Sequence, residues 1–371
     1  MVLETIWYQR SVAARLLAAL LAPLGWLYAG LARVRRAAYE RGWLTQRQLP
    51  VPVIVVGNLV AGGTGKTPLV IAICAALVER GYRPALLCRG HGGRSERWPI
   101  AVHADSDPHL CGDEAVLLAR VSCTGPAIPV FADPDRVRGG LALLAAYPDR
   151  DVLVCDDGLQ HLRLARDVEV LVWDGQRRAG NGRCLPAGPL REPLAQAARY
   201  DLVVVNGDAA DAMDGEFALT LEPSALYALG RRPARTTQVA GGADPIDLSW
   251  LVGRRVNALC GIGNPRRFLD TLKALDARLE PRIFPDHHAF SAGDLRARND
   301  LPTVMTSKDA VKCERLLAVD PALAEQAFFV LEVRAKLQTG FMDALAARLQ
   351  AARSERDAPR GPSASGAGRA S

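Results

Sequence analysis

Hydrophobic positions along the chain fall into recognisable runs. VPVIVVGN (51–58) is continuous and β-branched, the pattern of a strand buried on both faces of a parallel sheet. RPALLCRG (83–90), DVLVCDDG (151–158), DVEVLVWDG (167–175) and DLVVVNGD (201–208) repeat it. Between them, KTPLVIAICAALVERG (66–81), DEAVLLARV (113–121) and PDRVRGGLALLAAY (134–147) carry helical spacing, the first closed by Gly81. Strands alternating with helices predict a parallel sheet covered on both sides. A second α/β unit follows. RRVNALCGIGNPRRFLDTLKAL (254–275) reads as strand, turn and helix. Segments 281–290, 302–310 and 327–337 contain short strands, and FMDALAARLQAA (341–352) is an amphipathic helix. Residues 209–250 have weaker periodicity and are expected to link the halves. The expected division is an N-terminal helical segment (1–45), a first α/β domain (46–222), a smaller second α/β domain (223–352) and a disordered tail (353–371), which is small and polar.

The front end differs from the rest. Leu16 to Ala32 contains no charged residue, while Arg10, Arg15, Arg33, Arg35 and Arg36 flank it. Trp7, Tyr8, Trp26 and Tyr28 add rings with a polar tip. The run lies at the short limit for crossing a bilayer, and Pro23 and Gly25 are expected to break it. A helix lying in or dipping into the inner leaflet is the expectation, ahead of a true span or a buried soluble helix.

Charge supports that reading. Net charge is +6, but residues 1–50 carry seven arginines against Glu4 and Glu40, and the tail adds a further +2, so the body is close to neutral. A nucleic-acid-binding fold would want a basic patch on that body. The hydrophobic share of 49% over 371 residues is ample for about two cores. Eight cysteines include no C-x-x-C pair, as expected of reduced core residues in a cytosolic chain without a zinc site.

GNLVAGGTGKTPL (57–69) carries the chemistry. Gly65, Lys66 and Thr67 match the end of the phosphate-binding motif G-x-x-x-x-G-K-[ST], although Val60 stands in place of its first glycine. The stretch leaves a buried strand and opens a helix. There Gly62, Gly63, Thr64 and Gly65 can turn backbone N–H groups toward phosphate, with the helix dipole behind them. Lys66 would reach the outer phosphates and Thr67 a Mg²⁺ ion. Asp156 and Asp157 end a neighbouring strand, where such acids hold the metal. The fold class is therefore a P-loop NTPase-like parallel-sheet domain with a second smaller α/β domain and an N-terminal membrane-associated helix.

On the loop alone, four functions compete. They are a small-molecule kinase, a membrane-bound ATPase switch of the MinD/ParA kind, a GTPase and a nucleic-acid-binding ATPase. Ala61 stands where the switch proteins carry a signature lysine, and Gly207 in VVVNGD stands where a guanine-reading N-K-x-D needs one.

DDGLQHLRLARD (156–167) narrows the choice. Together with GNLVAGGTGKTP, GDEAVLLA (112–119), NGRCLPAGPLREP (181–193), GIGNPRRF (261–268), FPDHHAF (284–290) and TSKDAVK (306–312), it resembles the tetraacyldisaccharide 4′-kinase family of lipid A biosynthesis, from the N-terminal helix to about residue 350. Val60 fits, since that family also lacks the first glycine. CRGHGGR (88–94) departs from the expected S-R-G-Y-G, and Ser307 stands where glutamate is usual.

The resemblance implies transfer of the γ-phosphate of ATP, with Mg²⁺, to the 4′-hydroxyl of an acylated glucosamine disaccharide 1-phosphate. The enzyme would work at the cytoplasmic face of the inner membrane; a monomer is expected. It implies Asp113 as the base for the sugar hydroxyl, with His287, ahead of His288, orienting or relaying. His161 is expected near the metal loop, Glu192 at the nucleotide or metal, and Arg89, Arg94 or Arg191 on the lipid's 1-phosphate. Closure of the two lobes is expected to bring Asp286–His288 to the phosphate loop.

Overall fold

Two helices lead the chain, α1 (Val2–Tyr8) and α2 (Val12–Glu40). The first half then runs β1 (Val53–Gly57), α3 (Lys66–Glu79), β2 (Pro84–Cys88), β3 (Ile100–Val102), α4 (Pro108–Cys111), α5 (Asp113–Ser122), β4 (Val130–Ala132), α6 (Arg136–Ala146), β5 (Val152–Asp156), β6 (Val168–Asp174) and β7 (Leu202–Asn206). The second runs β8 (Glu216–Leu229), β9 (Arg255–Cys260), α7 (Pro265–Ala274), β10 (Arg278–Ile283), α8 (Ala292–Leu295), β11 (Thr303–Thr306), α9 (Ser307–Val319), α10 (Pro321–Ala324), β12 (Phe328–Leu337) and α11 (Phe341–Asp357). These come from a computed structural model that describes residues 2–9, 11–122, 127–229, 244–296 and 299–357. The predicted tail beyond 357 lies outside the described residues.

All the strands join one twelve-stranded sheet, ordered β10-β9-β11-β12-β8-β7-β6-β1-β5-β2-β4-β3. Strands β8, β7, β6, β1, β5, β2 and β4 pair in parallel, and β3 closes that edge antiparallel. The segment expected to be a linker contains β8, at 14 residues the longest strand. Its side chains are half-buried and mixed, which hides it from a search for apolar runs. It pairs parallel with β7 and antiparallel with β12, and so fuses the two units into one sheet.

Alternation along β1 sorts the first core. Ile54 and Val56 face one cluster with α3 and α5, while Val53 and Val55 face another with α6. The second half has its own two clusters, one on each face. Helix α11, grouped by sequence with the second unit, returns to the first: Phe341, Leu345 and Leu349 are fully buried in the α3–α5 core. It runs five residues beyond the expected end, and Arg356 there grips Asp167 with bonds of 2.7 and 2.6 Å.

Pro23 and Gly25 do not break α2, which is one 29-residue helix capped by Ser11. Gly25 is needed for contact: a Cβ there would come to 3.0 Å from the Cys184 carbonyl and 3.1 Å from Ala187. Ala14, Ala18, Ala22, Gly25 and Ala29 form a small-residue face that is buried. Trp7 donates to the Pro186 carbonyl at 3.0 Å, and Arg36 donates twice to Glu192, at 3.1 and 2.8 Å. The opposite face leaves Leu16, Leu20, Leu24, Leu27, Leu31 and Val34 exposed, in helical register. The helix is long and apolar enough to cross a membrane.

Candidate active site

The phosphate loop leaves β1 at Gly57 and enters α3 at Lys66. Gly62 and Gly65 have φ of 107° and 91°, which glycine adopts without strain. At Gly65 any side chain would also collide with the Asn206 amide. Two asparagines hold the loop. Asn58 donates to the Gly62 carbonyl and the Thr64 hydroxyl, both at 3.2 Å, and Asn206 donates to the Thr64 carbonyl at 2.9 Å. Neither was singled out from sequence. Asn206 lies in VVVNGD, where the comparison with a guanine-reading motif obscured its role as a brace.

Register carries the acids to this loop. Val56 of β1 pairs with Asp156 of β5, so the strand-ending carboxylates arrive beside the loop exit. The Thr67 hydroxyl lies 3.4 Å from Asp156 Oδ2, and Lys66 Nζ lies 3.4 Å from Asp157 Oδ1. Asp157 has φ of 50° and also meets Arg191 Nη1 at 3.3 Å. The two acids sit in different fields. Burial, then the charge of Glu114, push Asp156 up to about 7 against the pull of Lys66. Burial also acts on Asp157, but Lys66, Arg191 and Arg136 outweigh it and hold that carboxyl well below the usual range. Asp156 Oδ1 is buried without a hydrogen-bond partner. A solvent-stripped acid with an idle oxygen beside a threonine hydroxyl fits a divalent cation, so Thr67, Asp156 and Asp157 suit Mg²⁺.

A cleft of about 210 Å³ opens over these groups. Gly62, Gly63, Lys66, Asp156 and Asp157 line one side; Asp286, His287 and Lys308 line the other. The segment after β10 therefore already shares the cleft with the phosphate loop. His287 has φ of 58°, and its Nδ1 lies 3.4 Å from Asp113 Oδ2 at the start of α5. The facing Asp113 carboxylate raises the imidazole's pKa despite burial. Asp113 is buried, which pushes its pKa up, but His287 and Lys308 reverse that and hold it below the usual range. The layering is thus His287 in the cleft with Asp113 behind it. Lys308, a group missed in the sequence, bridges Glu114 at 3.0 Å, Asp286 at 3.3 Å and His287 Nε2 at 3.3 Å. As one of only five lysines, it could have been found by its rarity.

Arg89 and Arg191 line the cleft, and Arg94 does not. His288 turns away, bonded to Asp294 at 3.2 Å and stacked on Phe284. His161 is not among the lining residues. Burial, then Arg136, lower its pKa to about 4, and its Nε2 is without a hydrogen-bond partner. Glu192 also lies outside the cleft. Its Oε2 is taken by Arg36 of α2 and its Oε1 accepts from Gln160 at 3.2 Å.

A glycine-braced loop at a helix N-terminus, a lysine, two strand-ending acids and a histidine–carboxylate pair across one cleft define a P-loop phosphoryl-transfer site. The comparisons agree. A family model described as tetraacyldisaccharide-1-P 4′-kinase, LpxK, matches residues 17–350. A tetraacyldisaccharide 4′-kinase of Alkalilimnicola ehrlichii is 48% identical over 314 residues, covering 85% of this chain and 88% of its own. One from Chromobacterium violaceum is 45% identical, covering 94% and 98%. Among solved structures, LpxK from Aquifex aeolicus in complex with ATP aligns with a TM-score of 0.71 and 28% identity, covering 90% of this chain and 99% of that one. This chain belongs to the tetraacyldisaccharide-1-P 4′-kinase family.

Proposed function

We propose that the cleft moves the γ-phosphoryl group of ATP to the 4′-hydroxyl of tetraacyldisaccharide 1-phosphate, a lipid A precursor. The observation that carries this is the placement of the Asp113–His287 pair across one cleft from Lys66 and the Asp156–Asp157 acids. A bond forms between the sugar oxygen and the γ-phosphorus as the bond to the β–γ bridging oxygen breaks, and ADP leaves. The hydroxyl proton passes to the Asp113–His287 pair, where Asp113 Oδ2 faces the imidazolium that results. Thr64, Gly65 and Lys66, with Gly62 and Gly63, cradle the phosphates, and Lys66 offsets charge on the transferred group. Thr67, Asp156 and Asp157 would hold Mg²⁺, which when bound neutralises β- and γ-phosphate oxygens. Arg89 and Arg191 are the cleft's candidates for the lipid's 1-phosphate, since a guanidinium fork suits that group.

The acceptor's acyl chains call for a site at a membrane surface. The exposed leucine face of α2, flanked by arginines, supports monotopic attachment to the cytoplasmic face of the inner membrane, the side that supplies ATP. We propose a monomer, with 1–45 as the membrane-associated segment. Glu192 serves to anchor α2 through Arg36. The alternative of a membrane-bound ATPase switch is not favoured by the family relationship. Transfer of label from γ-labelled ATP to the lipid in detergent micelles tests the reaction.

A further inference from the structure

Helix α9 carries two of the chain's five lysines, Lys308 and Lys312, one turn apart. That spacing puts both on one helical face, toward the start of α5. Lys308 reaches the cleft. Lys312 does not: its side chain is only 12% exposed, and its Nζ lies 3.9 Å from Asp113 Oδ2, 2.9 Å from Asp309 Oδ1 and 4.9 Å from the centre of the Phe290 ring. Asp309 is fully buried. Its Oδ2 accepts from the Thr306 hydroxyl at 2.7 Å and from the Gly261 backbone N–H at 3.0 Å. The lysine is therefore fixed from behind by a carboxylate that is itself fixed twice.

We propose that Lys312, held by Asp309, is a positioning residue that keeps the Asp113–His287 pair in its proton-accepting form. This rests on the proposed role of that pair. A cation 3.9 Å from a buried carboxylate favours the unprotonated state of whatever that carboxylate is coupled to. The pair faces opposing influences. Asp286 beside His287 and Glu114 beside Asp113 favour holding a proton; Lys308 and Lys312 on α9 disfavour it. His91, packed edge-on against His287 at 4.7 Å, adds positive charge only when protonated. Lys308 lines the cleft, where a bound nucleotide would alter its field. Lys312 sits behind the pair and acts at every stage. Asp309 tempers it, leaving enough charge to bias the pair without locking Asp113 into an ion pair.

The sign follows. If the pair must start unprotonated, activity falls as pH drops through its apparent pKa. Removing the cation raises that pKa, so the acidic limb moves to higher pH.

The test is the pH dependence of kcat/KM for phosphoryl transfer by the full chain. Lys312→Gln removes the charge but keeps a polar side chain of similar length against Asp309, and its acidic limb is expected to move up by about one pH unit. Lys312→Arg should restore the wild-type limb. Asp309→Asn, which frees the lysine's charge, should move the limb the opposite way. Titration of the His287 imidazole by NMR follows the same shifts without turnover. An unmoved limb in folded Lys312→Gln, or a uniform loss at all pH, overturns the proposal. Asp113→Asn run alongside separates the two claims. If it transfers phosphate at the wild-type rate, the role of the pair itself fails. If it is inactive while the Lys312→Gln limb stays put, only the inference about Lys312 fails.

Discussion

Gly263, in the turn after β9, lies against the backbone of Gly63 in the phosphate loop, so close that a Cβ on Gly263 would meet the Gly63 nitrogen well inside 3.0 Å. The two halves of the sheet thus meet at the nucleotide loop itself. Arg177 Nη1 fixes the same turn by donating to the Gly263 carbonyl at 2.6 Å. Backbone cannot yield as a flexible side chain does, so Gly263→Ala must displace one loop or the other. A displacement near 1 Å at a reacting centre costs on the order of 10²-fold. Steady-state kinetics should show kcat/KM falling by about that factor with little change in thermal midpoint, and an unchanged kcat/KM would mean the contact is incidental.

Asp113→Ala should lower kcat by roughly 10²- to 10⁴-fold while ATP affinity holds, because the side chain lies behind His287 and away from the phosphate loop. Its loss also removes the carboxylate that raises the His287 pKa, so the imidazole should titrate at lower pH than in the wild type. Single-turnover rates and nucleotide titration give the two quantities. Normal turnover would remove the pair from the mechanism.

Arg36 and Glu192 form a buried pair, with side chains 11% and 9% exposed, between α2 and the loop before Pro193. Arg36→Ala leaves the carboxylate buried with Gln160 as its remaining partner. Losing one member of such a pair costs about 3–5 kcal/mol. Urea unfolding should show a loss of that size, and a change under about 1 kcal/mol would mean that α2 is held by its alanine face and by the contacts of Arg35 and Glu40 rather than by this pair.

Leu20 and Leu27 are 76% and 61% exposed on the free face of α2. Each leucine buried in a bilayer interface contributes about 1.5–3 kcal/mol, and tenfold in affinity is about 1.4. Leu20→Glu with Leu27→Glu should weaken sedimentation with anionic vesicles by at least about 100-fold and leave the fold unchanged by circular dichroism. Equal vesicle binding would place membrane attachment elsewhere.

The first half of the sheet was legible because β1, β2, β5, β6 and β7 are largely buried on both faces and read as apolar runs, interrupted in β6 only by Glu169 and its terminal acid. Strand β8 was not, since burial along it is mixed and its partner β12 is about 100 residues away. Pro23 was read as a break, yet a long helix packed through alanines tolerates one missing N–H. Of the candidate residues, those in the glycine loop and the DD pair came together as spacing predicts. The turn at Asp286 separates the two adjacent rings, with His287 facing Asp113 and His288 stacked on Phe284. Glu192 stood beside a residue that does reach the cleft, Arg191, and only the partner on α2 separates their roles. Lys308 and Lys312 both stand in TSKDAVK, one of the stretches that carry the resemblance, and beyond that only their scarcity and spacing mark them.

The central claim is transfer of phosphate to a lipid by this cleft. The direct measurement incubates the full chain with γ-labelled ATP, Mg²⁺ and tetraacyldisaccharide 1-phosphate in detergent micelles, with Lys66→Ala alongside. Label should appear on the lipid, reduced on the order of 10²- to 10³-fold in the variant. ATP hydrolysis stimulated by lipid, with no label on the lipid, would contradict it.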